Sequence, residues 1–396
     1  MISFGSRWAS LPQAQMELDF DDDQDALRDT VRDVLERECP IALVRSIVEA
    51  AHEGADDPGA AAQALWKTMV SLDWPALTMP EDVGGIGLGF IELAVVAEEL
   101  GRVVAPGPFL PTVTQFAPVV REAGTPEQRE RFLGAVARGE RTGTLALADH
   151  DRGWSVEEIE MVARPDGDGW RLDGTKRFVM EAGAADDLVV AARLEGSEGA
   201  DGIVAAVVPR TEVTVEPITS LDASRRYAAV VLDDVPVPAD RVLGTAGDAG
   251  RPLARALEEA TVALATEAVG CCQTIFDTTL EYAKQREQFG VAIGSFQAVK
   301  HKLVDMYVAL ERARSLAYYA AACIAEGHDE RTLAASMAKA AAGDCQRLVA
   351  RDGIQLHGGI GFTWEADLHL YVKRAMSAES ILGSTTDHRA RVASLG

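Results

Sequence analysis

The spacing of apolar residues divides the chain into three parts. From about Asp19 to Glu140 apolar residues recur every three or four positions, which predicts amphipathic helices. From about Thr142 to Gly244 short apolar runs alternate with glycine-containing turns, which predicts strands. From about Arg251 onward the helical spacing returns in long, alanine-rich segments. The pattern predicts three domains: helical over 1–141, β over 142–245 and a helical bundle over 246–396.

Local signals mark where several of these helices begin and end. Thr125 is a predicted N-cap with Pro126 in the first turn, and Gly139 follows the predicted end. In the last part Ser295 is the predicted cap of a long helix that Gly327 ends. Three or four helices of this length are expected to pack as a bundle.

The middle part has the features of an all-β domain. The stretch "IEMVARPDGDGWRLDGTKRFVM" predicts three short strands broken by Asp-Gly turns, and four further apolar runs follow it. Short strands punctuated by glycine favour an antiparallel barrel or sandwich over a parallel α/β sheet. The predicted fold class is therefore α+β, with an antiparallel β-domain between two helical ones.

The composition narrows the function classes. The chain has 396 residues, of which 47% are hydrophobic and 25% charged, as in a globular protein of more than one domain. Its formal charge of −24 disfavours nucleic-acid partners, because a phosphate backbone would be repelled. We find no apolar run of about 18 residues that would predict a membrane-spanning helix. The seven histidines lack metal-ligand spacing, so we expect no metal.

The cysteines and the N-terminus indicate the compartment. The N-terminal stretch "MISFGSRWASLPQAQ" lacks the apolar core of a secretory signal. The cysteine number is odd and the spacing includes no CxxC, which is typical of reduced thiols in the cytoplasm. These cysteines are Cys39, Cys271, Cys272, Cys323 and Cys345.

Six short motifs carry a resemblance to a known family. No strand–GxGxxG–helix unit for a dinucleotide is present. Instead "MPEDVGGIGLG", "GTPEQRERFLGAVARGE", "DGTKRFV", "DDVPVPADRVLG", "YAKQREQFG" and "QLHGGIGF" follow the order and spacing of the acyl-CoA dehydrogenase family. The resemblance runs from about Phe20 to Arg391. It implies an N-terminal helical domain, a β-domain, a C-terminal four-helix bundle, FAD as cofactor and a tetramer of paired dimers.

The resemblance also implies a reaction. In the family a carboxylate removes the proton α to the carbonyl of an acyl-CoA thioester, while hydride passes from the β carbon to the flavin. The carboxylate must be a competent base, and the flavin supplies the redox chemistry. An electron-transfer flavoprotein or a similar acceptor is the implied electron partner.

The implied cofactor contacts lie in the last third of the chain, in segments that reach the FAD of a neighbouring subunit. A guanidinium suits the pyrophosphate because it forms paired, charge-assisted hydrogen bonds to phosphate oxygens. Paired glycines allow backbone amides to approach a ligand closely. The residues that the resemblance assigns to the cofactor are Arg286, Gln288, Phe289, Gln297, Gln355, Gly358 and Gly359.

The catalytic carboxylate is missing from both positions where the family carries it. The usual position corresponds to Leu382, which has no proton-accepting atom. Some members carry the base on a bundle helix instead, and the register fixed by Gly270 and Arg286 places that position at Ala260. Glu259 is one residue away, about 100° around the helix. It is either a relocated base or a solvated or salt-bridged side chain.

The β-domain departs from the family as well. The segment from Leu145, "LALADHDRGWS", lacks the family pattern that meets the flavin ring and the substrate. Phe178 takes the place of a flavin-stacking tryptophan, and Met180 replaces a threonine near the reactive flavin nitrogen. A further hypothesis assigns four cations to the phosphates of CoA: Lys176, Arg177, Arg225 and Arg226.

Two functional hypotheses remain open at this point. In the first, the chain is a base-lacking subunit that completes the FAD site of an α2β2 enzyme, resembling the heteromeric acyl-CoA dehydrogenases of actinobacterial steroid side-chain degradation. In the second, it is a self-sufficient dehydrogenase with Glu259 as the base, and a homo-oligomer. Both take an acyl-CoA thioester as substrate.

Overall fold

A computed structural model describes residues 20–395, except 56 and 152, so the N-terminal stretch discussed above lies outside the described residues. The first part of the chain is helical. Its helices are α1 (Asp22–Glu38), α2 (Ile41–His52), α3 (Gln63–Ser71), α4 (Phe90–Arg102), α5 (Ala117–Ala123) and α6 (Pro126–Ala137). A buried π-helical stretch, Pro111–Phe116, leads into α5.

The predicted start of α6 is confirmed. Thr125 accepts a hydrogen bond from the backbone of Gln128, whose side chain in turn accepts from the backbone of Thr125. This reciprocal pair is a capping box, which satisfies two backbone donors at the helix start. The same arrangement begins α1, where Asp21 and Gln24 cap each other.

The middle part forms a single seven-stranded sheet. Its order is β1-β4-β2-β3-β7-β6, with β5 on the other edge of β4. The strands are β1 (Gly143–Ala146), β2 (Val162–Asp166), β3 (Gly169–Met180), β4 (Asp187–Leu194), β5 (Ile203–Pro209), β6 (Thr214–Ile218) and β7 (Tyr227–Val237).

The prediction of a wholly antiparallel domain is wrong in one respect. Both β1 and β2 pair with β4 in parallel, whereas the other pairs are antiparallel. A parallel pair needs a long crossover connection instead of a tight turn. Residues 147–186 supply that connection between β1 and β4, and no local signal in the sequence reveals it.

One predicted turn is instead a bulge. The Asp166-Gly167 pair turns the chain from β2 into β3, as predicted. The third pair, Asp173-Gly174, lies inside β3, where the pairing with β7 shifts register and Gly174 has φ 136°. Glycine tolerates this conformation, so the strand bends and continues.

The last part is a helical bundle. Its helices are α7 (Gly250–Gln285), α8 (Gln297–Ala325), α9 (Arg331–His357), α10 (Leu368–Ala378) and α11 (Thr385–Leu395). A small hairpin of β8 (Glu287–Gln288) and β9 (Val291–Ala292) joins α7 to α8. The predicted cap of α8 is wrong by one residue, because Phe296 takes that place while the Ser295 hydroxyl donates to Ala292. No helix among the described residues is long and apolar enough to cross a bilayer.

Two glycines bring α4 and α7 into direct backbone contact. A Cβ atom on Gly101 would lie 1.9 Å from the carbonyl oxygen of Glu267, and one on Gly270 would lie 1.8 Å from that of Glu98. Real side chains never approach so closely, so any other residue would force the helices apart. The N-terminal domain and the bundle therefore share one continuous core.

A buried ionic cluster joins all three domains next to this contact. Arg374 of α10 is ion-paired with Asp222, and its Nη1 atom donates to Glu267 of α7 at 2.9 Å. Arg374 also donates to the hydroxyl of Ser224 at 2.8 Å and to the carbonyl of Val104 at 3.3 Å. Charges taken out of water are stable only when they are paired and hydrogen-bonded in this way.

Candidate active site

Leu382 lies in the turn between α10 and α11, with φ 57°, and Gly383 follows at φ 99°. Its side chain is 7% exposed and belongs to an apolar cluster with Met180, Ala260 and Ile381. Leu382, at the usual position of the family base, therefore packs against α7, which carries Ala260 at the alternative position of the base. Neither position offers a proton acceptor.

The space beside Leu382 is almost filled by side chains. Leu145 and Leu147 approach from the sheet, Phe178 and Met180 from β3, and Gln115 from the N-terminal domain. The cavity that they leave has a volume of about 10 Å³, which is room for roughly one water molecule. Phe178 and Met180, which replace the family's flavin-contacting residues, thus line the same small cavity as Leu382.

Trp154 completes this packing, and sequence reasoning missed it. The tryptophan comes from the segment between β1 and β2, and its ring centre lies 6.3 Å from that of Phe178. It lines both the small cavity and a neighbouring one of about 40 Å³ on the other side of Leu382. The segment has no periodicity, so only the long-range contacts of the structure identify its role.

A buried ion pair holds the Trp154 segment in place. Asp149 accepts from the Lys176 ammonium at 2.7 Å and from the backbone of Glu160 at 2.7 Å. Lys176 also donates to the carbonyl of Leu147 at 2.9 Å. Burial lowers the pKa of Lys176 to about 8, although the carboxylate of Asp149 opposes the shift. Lys176 is therefore an internal anchor of the segment.

The hypothesis that four cations bind CoA phosphates is not supported. Besides Lys176, Arg225 is buried and ion-paired with Glu267. Arg226 pairs with Glu181 at 2.5 Å and with Asp57 at 2.7 Å. Arg177 pairs with Asp151 at 2.8 Å. Since each cation already has an internal partner, binding a phosphate would require a pair to break.

The turn that carries Leu382 is held by two buried basic side chains. His388 donates from Nε2 to the carbonyl of Leu382 at 2.8 Å, and burial lowers its pKa to about 4. Lys339 donates to the carbonyls of Glu379 at 2.8 Å and Ala378 at 3.2 Å, which ends α10. Burial lowers the pKa of Lys339 to about 8. These contacts fix the backbone around a side chain that has no acid–base function.

Glu259 does not face Leu382. It is buried, and its Oε1 atom lies 2.5 Å from Nη2 of Arg121 in α5 and 3.7 Å from Arg331 in α9. The interpretation of Glu259 as a salt-bridged side chain is therefore confirmed. A carboxylate held by two guanidinium groups would have to leave these partners before it could reach a substrate.

A further carboxylate, Glu258, lies beside the Leu382 turn, and the sequence reasoning overlooked it. It lines the larger cavity together with Leu382 and Thr261. Helix spacing could have indicated this position, because residues three apart share one face of a helix and Thr261 lines the same cavity. Glu258 is also held, by Arg331 Nε at 2.6 Å and by the Thr332 hydroxyl at 2.5 Å.

The predicted cofactor residues lie elsewhere, at the other end of the bundle. Arg286 ends α7, Gln288 and Phe289 lie in the hairpin, and Gln297 begins α8. The ends of α7 and α9 meet where Tyr282 stacks on His357 at 4.4 Å, next to Gln355, Gly358 and Gly359. All seven predicted residues are exposed to solvent, and Phe289 is 93% exposed. None of them lines the cavities beside Leu382.

This exposed end has features of a binding surface. Arg286 makes no ion pair within the part of the chain that the structure describes, so its guanidinium remains available for an anion. Gly358 has φ 64°, and Cβ atoms on Gly358 and Gly359 would meet nothing within 4 Å. Several apolar side chains are exposed beside them, which is typical of a protein interface. These are Phe289, Val291, Phe296, Ile360 and Phe362.

The FAD that the resemblance implies fits the exposed end of the bundle and does not fit the cavity beside Leu382. The exposed end offers an unpaired guanidinium and an open glycine loop, which suit a pyrophosphate. The place beside Leu382 holds about 10 Å³, which is far too little for a tricyclic ring, since a single water needs nearly as much. We therefore derive no reaction step through a flavin bound beside Leu382.

Comparisons with known proteins agree with this architecture. Models of the N-terminal, middle and C-terminal domains of acyl-CoA dehydrogenases match residues 21–140, 144–235 and 251–394. Acyl-CoA dehydrogenase IpdE2 of Mycobacterium tuberculosis is 30% identical over 365 residues, 92% of this chain and 94% of that protein.

Solved structures give the same result. A glutaryl-CoA dehydrogenase in complex with glutaryl-CoA superposes with a TM-score of 0.87 at 25% identity, covering 95% of each chain. A variant of the Tcur3481-Tcur3483 steroid acyl-CoA dehydrogenase superposes with a TM-score of 0.82 at 30% identity, covering 94% of this chain and 97% of that one. On this evidence the chain belongs to the acyl-CoA dehydrogenase family, whose members are FAD-dependent oxidoreductases.

Proposed function

We propose that this chain is the base-lacking, cofactor-completing subunit of a heteromeric acyl-CoA dehydrogenase. The observation that carries the proposal is the filled space at Leu382, where the side chains leave about 10 Å³. Removing the proton α to a thioester carbonyl requires a base within hydrogen-bond reach of that carbon. The two glutamates of α7 next to the alternative base position, Glu258 and Glu259, are both tied to arginines.

The exposed end of the bundle supports the second half of the proposal. Arg286 would bind the pyrophosphate of a flavin whose ring lies in a partner subunit, and the Gly358-Gly359 loop would approach the same cofactor. Gln288, Phe289, Gln297 and Gln355 would complete the contact. The apolar side chains around this end would be buried by the partner, because isolated exposed patches of this kind are unfavourable in water.

The partner that fits is a second acyl-CoA dehydrogenase subunit that carries the catalytic glutamate, in an α2β2 assembly. The similarity to a steroid acyl-CoA dehydrogenase whose name joins two proteins favours this arrangement. We expect the substrate of the complex to be a bulky, steroid side-chain acyl-CoA. An electron-transfer flavoprotein or a similar acceptor would reoxidise the flavin. The five cysteines are unpaired and buried, which favours the reducing cytoplasm.

The test compares the chain alone with the chain co-purified with a co-expressed acyl-CoA dehydrogenase subunit that carries the catalytic glutamate. We expect the chain alone to be colourless and unable to reduce an artificial acceptor with straight-chain or steroid CoA thioesters. The co-purified complex should turn over and contain one flavin for each pair of unlike chains. Robust turnover by the chain alone, abolished by Glu259→Gln, would instead establish the self-sufficient enzyme with a relocated base.

A further inference from the structure

The loop that follows α9 packs on that helix at one point, where the buried Gly361 lies against Ile354 and His357. Gly358–Phe362 runs along the surface, and no atom packs against the open sides of its first two glycines within 4 Å. Thr363 stabilises the loop internally, since its backbone and its hydroxyl both form hydrogen bonds to the carbonyl of Ile360 at 3.1 Å. These contacts shape the loop and hold it to α9, but none of them joins it to the N-terminal domain.

Attachment comes from the residue that follows, Trp364. Its carbonyl accepts from Arg45 Nη1 at 2.9 Å, and Arg45 Nη2 lies 2.5 Å from the carboxylate of Asp367. The Arg45 guanidinium carbon is also 5.5 Å from the centre of the indole ring. Arg45 of α2 therefore contacts the backbone and the ring of Trp364 and the carboxylate of Asp367.

The indole is enclosed by side chains from two helices. It stacks on His369 of α10 at 4.9 Å with an interplanar angle of 24°, and Lys373 lies 5.3 Å from its centre. From α2, His52 approaches at 5.5 Å, seven residues and two turns after Arg45 on the same face. Cations over an indole face and a stacked ring are both favourable contacts with defined geometry. The ring of Trp364 is thus packed between side chains of α2 and α10.

We infer that Trp364 is a positioning residue, which fixes the Gly358–Phe362 loop relative to the N-terminal domain so that the loop can meet a cofactor held by the partner subunit. The part that concerns the cofactor rests on the proposed function. Trp364 is 40% exposed, and its ring contacts Arg45 and His52 of α2 and Lys373 and the buried His369 of α10. Its removal should therefore loosen the loop without unfolding the bundle.

The first measurement uses the chain alone and needs no flavin. In hydrogen–deuterium exchange, peptides covering residues 355–363 should exchange about tenfold faster in Trp364→Ala, as expected when one favourable contact is lost. Trp364→Phe retains an aromatic face and should stay close to wild type. Phe362→Ala removes an exposed ring of the same loop and should also leave the exchange unchanged. Unchanged exchange in Trp364→Ala would overturn the inference.

The second measurement uses the co-purified complex. If the loop is competent for only about a fifth of the time, the apparent affinity for FAD falls about fivefold, and Trp364→Phe should restore it. The turnover of the fully loaded complex should not change, because Trp364 touches no reacting group. Faster exchange with unaltered FAD affinity would overturn the link to the cofactor. A wild-type complex without any flavin would overturn the proposed function itself, and that outcome is recognised before any variant is made.

Discussion

The Leu382 turn and the exposed end of the bundle use their polar groups in opposite ways. Around Leu382 the basic side chains of His388 and Lys339 bond to backbone carbonyls, and the nearby glutamates bond to arginines. At the other end Arg286 has no ion-pair partner among the described residues, and Phe289 is fully displayed. Both places correspond to parts of one flavin site in the family. Under the proposed function, the comparison teaches that one half of such a site is retained where the other is lost.

The strongest test of the comparison places the same charge at each end. Leu382→Glu inserts a carboxyl into a filled apolar site without a partner, which should lower the free energy of unfolding by about 3–5 kcal/mol. Phe289→Glu, at a fully exposed site, should change it by no more than about 0.5 kcal/mol. Urea denaturation of the two variants beside wild type measures both effects.

The activity of Leu382→Glu sharpens this test. General-base catalysis is worth about 10²–10⁴ in rate, whereas positioning of the reactants is worth about 7–11 kcal/mol. Because the site lacks room to position a flavin and a thioester, we expect no acyl-CoA oxidation by the variant chain alone. A stable Leu382→Glu chain that binds FAD and oxidises acyl-CoA would show that the site is intact except for its base.

Acid titration tests how tightly the Leu382 turn is held. The pKa of His388 is about 4 in the folded chain, and about 6.5 in an unfolded one. A lowered pKa means that the stability is fully present above about pH 6.5 and is lost as the pH falls toward 4. The loss attributable to this residue is roughly 3 kcal/mol. His388→Gln should flatten the fall in urea midpoint between these pH values, and an unchanged slope would mean that His388 is not the group that titrates.

A milder effect is expected at the exposed end. Arg286→Ala should weaken FAD binding by the complex by about 1.5–3 kcal/mol, the value of a hydrogen bond to a charged group. The stability of the isolated chain should not change, because Arg286 has no ion pair among the described residues to lose. Flavin content at limiting FAD gives the first quantity and thermal unfolding the second. Full occupancy in the variant complex would remove Arg286 from the cofactor site.

The smallest effect is expected for the alternative base. Glu259→Gln in the co-purified complex should change turnover by less than about twofold, because Glu259 faces Arg121 and not the reacting groups. Glu258→Gln is the matched variant, since this side chain does line the cavity beside Leu382. A loss of more than about a hundredfold in either variant would identify that carboxylate as a base.

The extent to which sequence predicts this molecule depends on the range of the interactions. Thr125 caps its helix through contacts three residues away, so its role could be read locally. The family resemblance placed Leu382, Phe178 and Met180 in one site, and the structure brings them together. In contrast, Glu259 meets Arg121 across 138 positions, and Trp154 reaches the site from a segment without periodicity. Such contacts arise only from the folded arrangement.

The backbone contact between α4 and α7 limits how the closed site can ever open. Because Gly101 and Gly270 leave less than 2 Å for an added atom, these helices have no slack in which to slide or tilt. A motion that would press these two helices further together is therefore excluded on steric grounds. If a ligand were ever admitted beside Leu382, the movement would have to come from the segment anchored by Asp149 and Lys176. Such a movement would have to break the ion pair between Asp149 and Lys176.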